Sequence, residues 1–167
     1  MIVTTSDFQG KYSLSQGMYN TPDYQYYIDK YEPKYLKELL GIDLYEEFNA
    51  DLILGGGVPT EPRFIVIFDP LDFQWNNGNF TSEGMKQMLV GLIYFEIVRD
   101  FENKITPIGN VNPKGENSDK VRSYNSTMWN RYNEGIISYR AIQCYILKER
   151  NDYNLFNGKN KLYATWL

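Results

Sequence analysis

Residues 89–98 read Leu-Val-Gly-Leu-Ile-Tyr-Phe-Glu-Ile-Val, apolar on nearly every face of a helix. A helix apolar all round has no side to offer water, so other elements must enclose it. In a chain of 167 residues that requirement points to one core wrapped by helices. Met85, Met88, Leu89, Leu92, Phe95 and Phe101 recur at helical spacing, which extends the element from residue 83 to about 103 with Ser82 as its cap.

A second long helix is expected from a cap at Ser118-Asp119 to about Arg150. Its apolar stripe is Val121, Tyr124, Met128, Tyr132, Ile136, Tyr139, Ile142 and Ile146. Gly91 and Gly135 interrupt these two helices, each at about 1 kcal/mol relative to Ala. A close crossing of the two helices would account for both.

The first stretch, to Asn20, is polar and irregular, with Ser6 capping a short turn that ends at Gly10. Thr21-Pro22-Asp23 then starts a helix, with Thr at the cap and Pro at the first helical position. Glu32-Pro33 is expected to break it, because the residue before Pro is pushed out of the helical region. Pro33 would open a second helix ending at an αL cap on Gly41, and Leu44, Tyr45 and Phe48 mark a third. Gly55-Gly56-Gly57 is a linker, lacking the Lys-Ser or Lys-Thr of a phosphate loop. Residues 63–68, Arg-Phe-Ile-Val-Ile-Phe, predict a strand ended by Asp69-Pro70. Phe73-Gln74-Trp75 and Phe80 flank Asn76-Asn77-Gly78-Asn79, a hairpin signal because Asn and Gly tolerate positive φ. Residues 106–117 read as a long loop, and an Asn- and Lys-rich tail follows residue 150. The fold class is therefore mainly α: a small helical bundle with two long C-terminal helices and a small β-hairpin flap. The 1–167 chain reads as a single domain: N-terminal helices at 21–53, flap at 63–81, long helices at 82–150, tail at 151–167.

The chain has no His and one Cys, Cys144. His is the usual neutral-pH base and the commonest metal ligand, so Ser-His and Cys-His pairs and His-bearing zinc sites are absent. Cys144 has no His to activate it and reads as a buried structural thiol in a reducing compartment. Asp69 and Asp72 set two carboxylates close together, as a hard cation would need, but the simpler reading has Asp69 ending a strand and Asp72 joining a turn. Asp43, Glu46 and Glu47 read as a solvated helix face. No residue is assigned to catalysis, to a cofactor or to a metal. The net charge is −4, and Lys and Arg form no run, which argues against a direct grip on nucleic acid. An acidic wall would let DNA pass without sticking. No apolar run reaches the roughly 20 residues of a membrane span, and no signal peptide is read at the start.

Fifteen Tyr remain to be placed. Tyr24, Tyr27 and Tyr31 share a helical side; Tyr26 points elsewhere and is expected to face another subunit. Trp166 and Leu167 are an apolar end that either folds back or docks.

The order of elements resembles a known family. Tyr35-Leu36-Lys37-Glu38-Leu39-Leu40-Gly41 and Leu44-Tyr45-Glu46-Glu47-Phe48 precede a flap. Two long helices then follow, joined by Thr106-Pro107-Ile108-Gly109-Asn110, with residues 84–100 and 123–145 carrying most of the likeness. The pattern is similar to the head–tail connector (head-completion, or ring) proteins of tailed bacteriophages, especially those of Bacteroidetes-infecting and crAss-like phages. That resemblance implies a non-catalytic virion subunit, made in the host bacterial cytoplasm and located in the neck. It implies a homo-oligomeric ring, commonly of twelve copies, between the portal protein and downstream tail or neck proteins. DNA would pass through it unbound, with no cofactor and no membrane. The interface residues expected on this reading are Tyr26, Trp75, Asn77, Phe80, Thr106, Ile108, Val111, Trp166 and Leu167. Two alternatives remain: a non-viral helical adaptor that binds a protein through its Tyr-rich helices, and a carboxylate hydrolase using Asp69, Asp72 or Glu96.

Overall fold

Every residue from Met88 to Val98 is buried, three turns of helix with no face to solvent. This is the enclosure that the apolar run demands. The computed structural model describes residues 1–14, 21–102, 105–106, 109–110, 123–161 and 163. Within them the elements are α1 (Thr21–Leu40), α2 (Ile42–Leu54), α3 (Pro62–Phe68), β1 (Leu71–Trp75), β2 (Gly78–Ser82), α4 (Met85–Glu102), β3 (Ile105–Thr106), β4 (Gly109–Asn110) and α5 (Ser123–Lys148). The protein is mainly helical with a small antiparallel hairpin. Helix α4 is the centre: α5 packs along it, α1 and α3 lie against it, and β1 and β2 sit on α5.

The α4–α5 crossing is built on the two glycines. A Cβ on Gly91 would stand 3.1 Å from the Arg131 carbonyl oxygen. One on Gly135 would stand 3.2 Å from both the Leu92 side chain and the Met88 carbonyl oxygen. Each glycine thus faces the other helix, and the backbones approach closely because both side chains are missing.

Several expectations are corrected. First, α1 runs unbroken through Pro33. An interior Pro costs roughly 3 kcal/mol. The helix is nonetheless held on both sides of it by Ile28 and Tyr31 before and Tyr35, Leu36, Leu39 and Leu40 after, all buried in one core. Each such side chain contributes about 1.5–3 kcal/mol, which outweighs one lost bond. A ladder of rings spans the Pro, with Tyr27, Tyr31 and Tyr35 stacked at 5.9 and 6.0 Å. Gly41 has positive φ, but its ψ of 164° makes it an extended link and the N-cap of α2 rather than an αL cap.

Second, residues 63–68 form helix α3 and not a strand. Pro62 occupies its first position, and Phe64 and Ile67, three apart, both reach the core. A short β-branched run has no intrinsic strand identity, and here the helical spacing of Phe64 and Ile67 is what reaches the core.

Third, the helix expected from Glu83 starts at Met85. Ser82 ends β2, and its hydroxyl accepts from the Gly84 N–H at 3.1 Å, while the Ser138 hydroxyl accepts from the Glu83 N–H at 3.0 Å. Gly84 turns the chain at φ +91°, where a Cβ would crowd the Phe68 carbonyl at 3.1 Å.

Fourth, Thr4 and not Ser6 is the N-cap of the first turn, Ser6 lies inside it, and the stretch read as polar and irregular contributes to the core. Ile2, Val3, Phe8, Tyr12 and Leu14 are buried, and Thr5–Asp7 and Gly10–Tyr12 form 3-10 turns. The Glu32 carboxylate accepts from the N–H groups of Ile2 and Val3 at 2.9 and 2.8 Å.

In the hairpin, Phe73 pairs with Phe80 and Trp75 with Gly78. The turn residues are Asn76 and Asn77, at φ 47° and 63°. The two-residue loop is therefore Asn-Asn, one position earlier than the Asn-Gly pair suggested. Ile105 and Thr106 pair with Asn110 and Gly109 within the stretch expected to be loop. The expected cap at Ser118-Asp119 lies outside the described residues.

The tail returns over the end of α1. Asn157 and Lys159 N–H groups donate to the Leu40 and Glu38 carbonyls at 3.2 and 2.6 Å. Gln143 Nε2 donates to the Leu39 carbonyl at 3.0 Å. These are the carbonyls a helix C-terminus leaves without partners, so the tail serves as α1's cap.

Candidate functional site

The residues singled out by sequence fall on several elements. Trp75, Asn77 and Phe80 are all on the hairpin. Phe80 stacks on Phe73 at 5.2 Å, and Phe73 meets Tyr145 of α5 edge-on at 5.4 Å. The flap is therefore fastened to α5 by its aromatic face. Asn77 is exposed at the tip and Trp75 is half-buried. Tyr26 lies on α1 with 60% of its surface exposed. Thr106 belongs to β3; Ile108, Val111, Trp166 and Leu167 lie outside the described residues.

Among the described residues the largest apolar exposure is on α2, where the sequence predicts a solvated acidic face. Leu44, Phe48 and Leu52 point to the core. Ile42, Ile53 and Leu54 point outward, exposed at 63%, 70% and 84%. At 100° per residue they share the outward face with Asp43, Glu46 and Ala50. Ile42 stands at the start of the helix and Ile53 and Leu54 at its end, with the charged and small residues between them. The signal was present in the sequence, since α2 is apolar on more than one side, but only knowing which side the core takes makes the other one informative.

A second surface lies on α1. Tyr26, Lys30, Lys34 and Lys37 follow one another at spacings of four, four and three, and all are exposed. The lysines lie over tyrosine rings: Lys30 over Tyr31 at 5.0 Å, Lys34 over Tyr31 at 5.2 Å, Lys37 over Tyr45 at 5.3 Å. Among the described residues none of the three forms an ion pair; the pairs in this region are made by other groups, such as Lys161 with Glu38 at 2.7 Å. Lysines that look scattered in sequence are thus aligned by the helix.

The acids of the hydrolase alternative have separate surroundings. Glu96 is 4% exposed and accepts from the Tyr35 hydroxyl at 2.5 Å. Burial, and then this bond to Glu96, push the Tyr35 phenol far above its ordinary range. Asp69 caps the end of α3, its N–H donating to the Ile65 carbonyl at 3.0 Å, and Asp72 is exposed on β1. Among the described residues no three His, Cys, Asp or Glu gather as metal ligands. Cys144 is half-buried instead of buried, and desolvation pushes its thiol up. A shallow open depression of about 520 Å³ lies between α3, Tyr145, Asp152 and Tyr153. Its Arg63 is already engaged by Glu61 at 2.8 Å, Glu47 at 3.0 Å and the Asp152 carbonyl at 3.1 Å.

Many of the polar side chains thus fasten elements together, while the outward face of α2 carries exposed apolar groups and that of α1 carries exposed lysines. No family model matches the chain, and no curated protein or solved structure matches it either.

Proposed function

We propose that this protein is a structural subunit of an oligomeric ring in a phage neck, joining the portal to the tail and extending the DNA channel. The observation that carries this reading is the presence of two chemically different exposed faces on one body, apolar and acidic on α2, cationic and tyrosine-bearing on α1. A ring closes by head-to-tail contacts, which require two different complementary surfaces on each subunit. A helical adaptor would need one. The engaged state of Arg63 and the buried state of Glu96 suit a scaffold whose charges hold elements in place. Ring function would use the hairpin tip, with Trp75 and Asn77, as a contact toward the portal or a neighbouring copy.

Light scattering followed by electron microscopy tests the proposal, with the protein alone and mixed with the portal protein encoded near it. Closed rings stacked coaxially on the portal are expected. A monodisperse monomer that ignores the portal would overturn the ring reading and favour the adaptor.

A further inference from the structure

We infer that the α1 stripe of one copy docks on the outward face of α2 of a second copy, a head-to-tail contact between copies of this chain. The inference rests on the ring reading and specifies which surfaces meet. Both sides of the contact are on the same molecule. Lys30, Lys34 and Lys37 offer three cations without ion-pair partners among the described residues. Asp43 and Glu46 of α2 are exposed and likewise form no ion pair among the described residues; the neighbouring Glu47 is the one that holds Arg63.

Three features favour a second copy as the occupant. The first is charge complementarity within a chain of net charge −4: the aligned lysines are a local exception, and the acidic face is their counterpart. The second is length. From Tyr26 to Lys37 the stripe spans about 16 Å, and from Ile42 to Leu54 the face spans about 18 Å, at 1.5 Å per residue. The third is composition. Tyr26 and the aliphatic stems of the lysines would cover Ile42 and Ile53, since long cationic side chains bury their methylenes while the head groups stay polar. Tyrosine at such a contact supplies area with few rotors to fix. A polyanion such as DNA would satisfy the lysines but leave Ile53 and Leu54 in water.

The test is a charge swap in trans. Lys30→Glu with Lys34→Glu makes one variant; Asp43→Lys with Glu46→Lys makes the other. All four positions are exposed, so circular dichroism should show both variants folded. Each variant alone is expected to lose self-association by at least tenfold in sedimentation. An equimolar mixture is expected to recover hetero-association, because the swapped faces then match. A third variant, Leu54→Asp, is expected to weaken association without being rescued by either partner. Rings that form normally from both charge variants would overturn this contact while leaving the ring reading standing. Wild-type protein that stays monomeric with and without the portal would overturn both. Binding of wild-type protein to a DNA duplex that is lost in Lys30→Glu/Lys34→Glu, with self-association unchanged, would assign the stripe to nucleic acid and overturn the contact.

Discussion

Gly91 and Gly135 show how closely single positions are constrained. With the Arg131 carbonyl 3.1 Å from where a Cβ would stand, a long side chain at Gly91 must push α4 and α5 apart. Overpacking of this kind costs about 1–3 kcal/mol and sometimes more. Gly91→Leu is therefore expected to lower the melting temperature by on the order of 10 °C, or to leave the protein unfolded. An unchanged thermal melt would mean that the helices do not cross there. Asp51 works in the opposite way, through what it holds. Its buried carboxylate accepts from the Thr60 N–H at 2.8 Å, the Glu61 N–H at 3.1 Å and the Thr60 hydroxyl, closing the glycine loop before α3. Burial works against its charge, but the bonds from Thr60 and Glu61 outweigh this and hold the pKa below its ordinary value. A lowered pKa gives stability that is full above the ordinary value, near 4, and is lost as pH falls through the folded one. Asp51→Asn should thus be less stable than wild type at pH 6, with the gap between the two urea midpoints narrowing as the pH falls below about 4. Parallel curves would sink this assignment. The glycines were legible in sequence because they interrupt helical patterns. Asp51 and Glu32 were not, since their partners are backbone N–H groups nine to thirty residues away, which leave no mark in composition.

At the scale of elements, propensity was overruled wherever packing had more to gain. Pro33 stays inside α1 at the cost of a missing donor to the Asp29 carbonyl. Pro33→Ala restores that donor and gives back some unfolded-state entropy, for a net gain of about 1–2 kcal/mol. A raised denaturation midpoint checks it; a lowered one would show that Pro33 packs in a way Ala cannot. The tail strap depends on Gly158, where a Cβ would fall 2.0 Å from the Leu39 carbonyl oxygen. Gly158→Ala should lift the strap, and hydrogen exchange at the Asn157 and Lys159 amides should quicken while α4 amides stay protected. Exchange that is unaltered at those two amides would show the strap adapting around the methyl. The hairpin was legible to within one residue, because alternation and turn chemistry are local. Helix α3 was not, because residues 63–68 fit a strand or a helix equally until Phe64 and Ile67 find the core.

At the scale of the whole molecule, the exposed α2 face and the lysine stripe are two surfaces the core leaves outside. If they join copies, self-association should weaken as salt rises from 0.1 to 1 M, where the screening length falls from about 10 to about 3 Å. It should not vanish, because Ile53 and Leu54 stay apolar at any salt; association indifferent to salt would argue against the lysines' part in it. The sequence alone determined that this chain is a helical bundle around 89–98, that two glycines sit at its crossing and that a short hairpin precedes the central helix. Those features follow from local periodicity, turn chemistry and the need to bury an all-apolar helix. Only the tertiary structure decided that α1 continues through Pro33, that residues 62–68 form a helix, that the first residues belong to the core and that the tail caps α1. It also decided which sides of α1 and α2 remain outside. Each of those outcomes depends on contacts between segments far apart in the chain, whose combined burial exceeds the one to three kcal/mol by which local preferences are expressed.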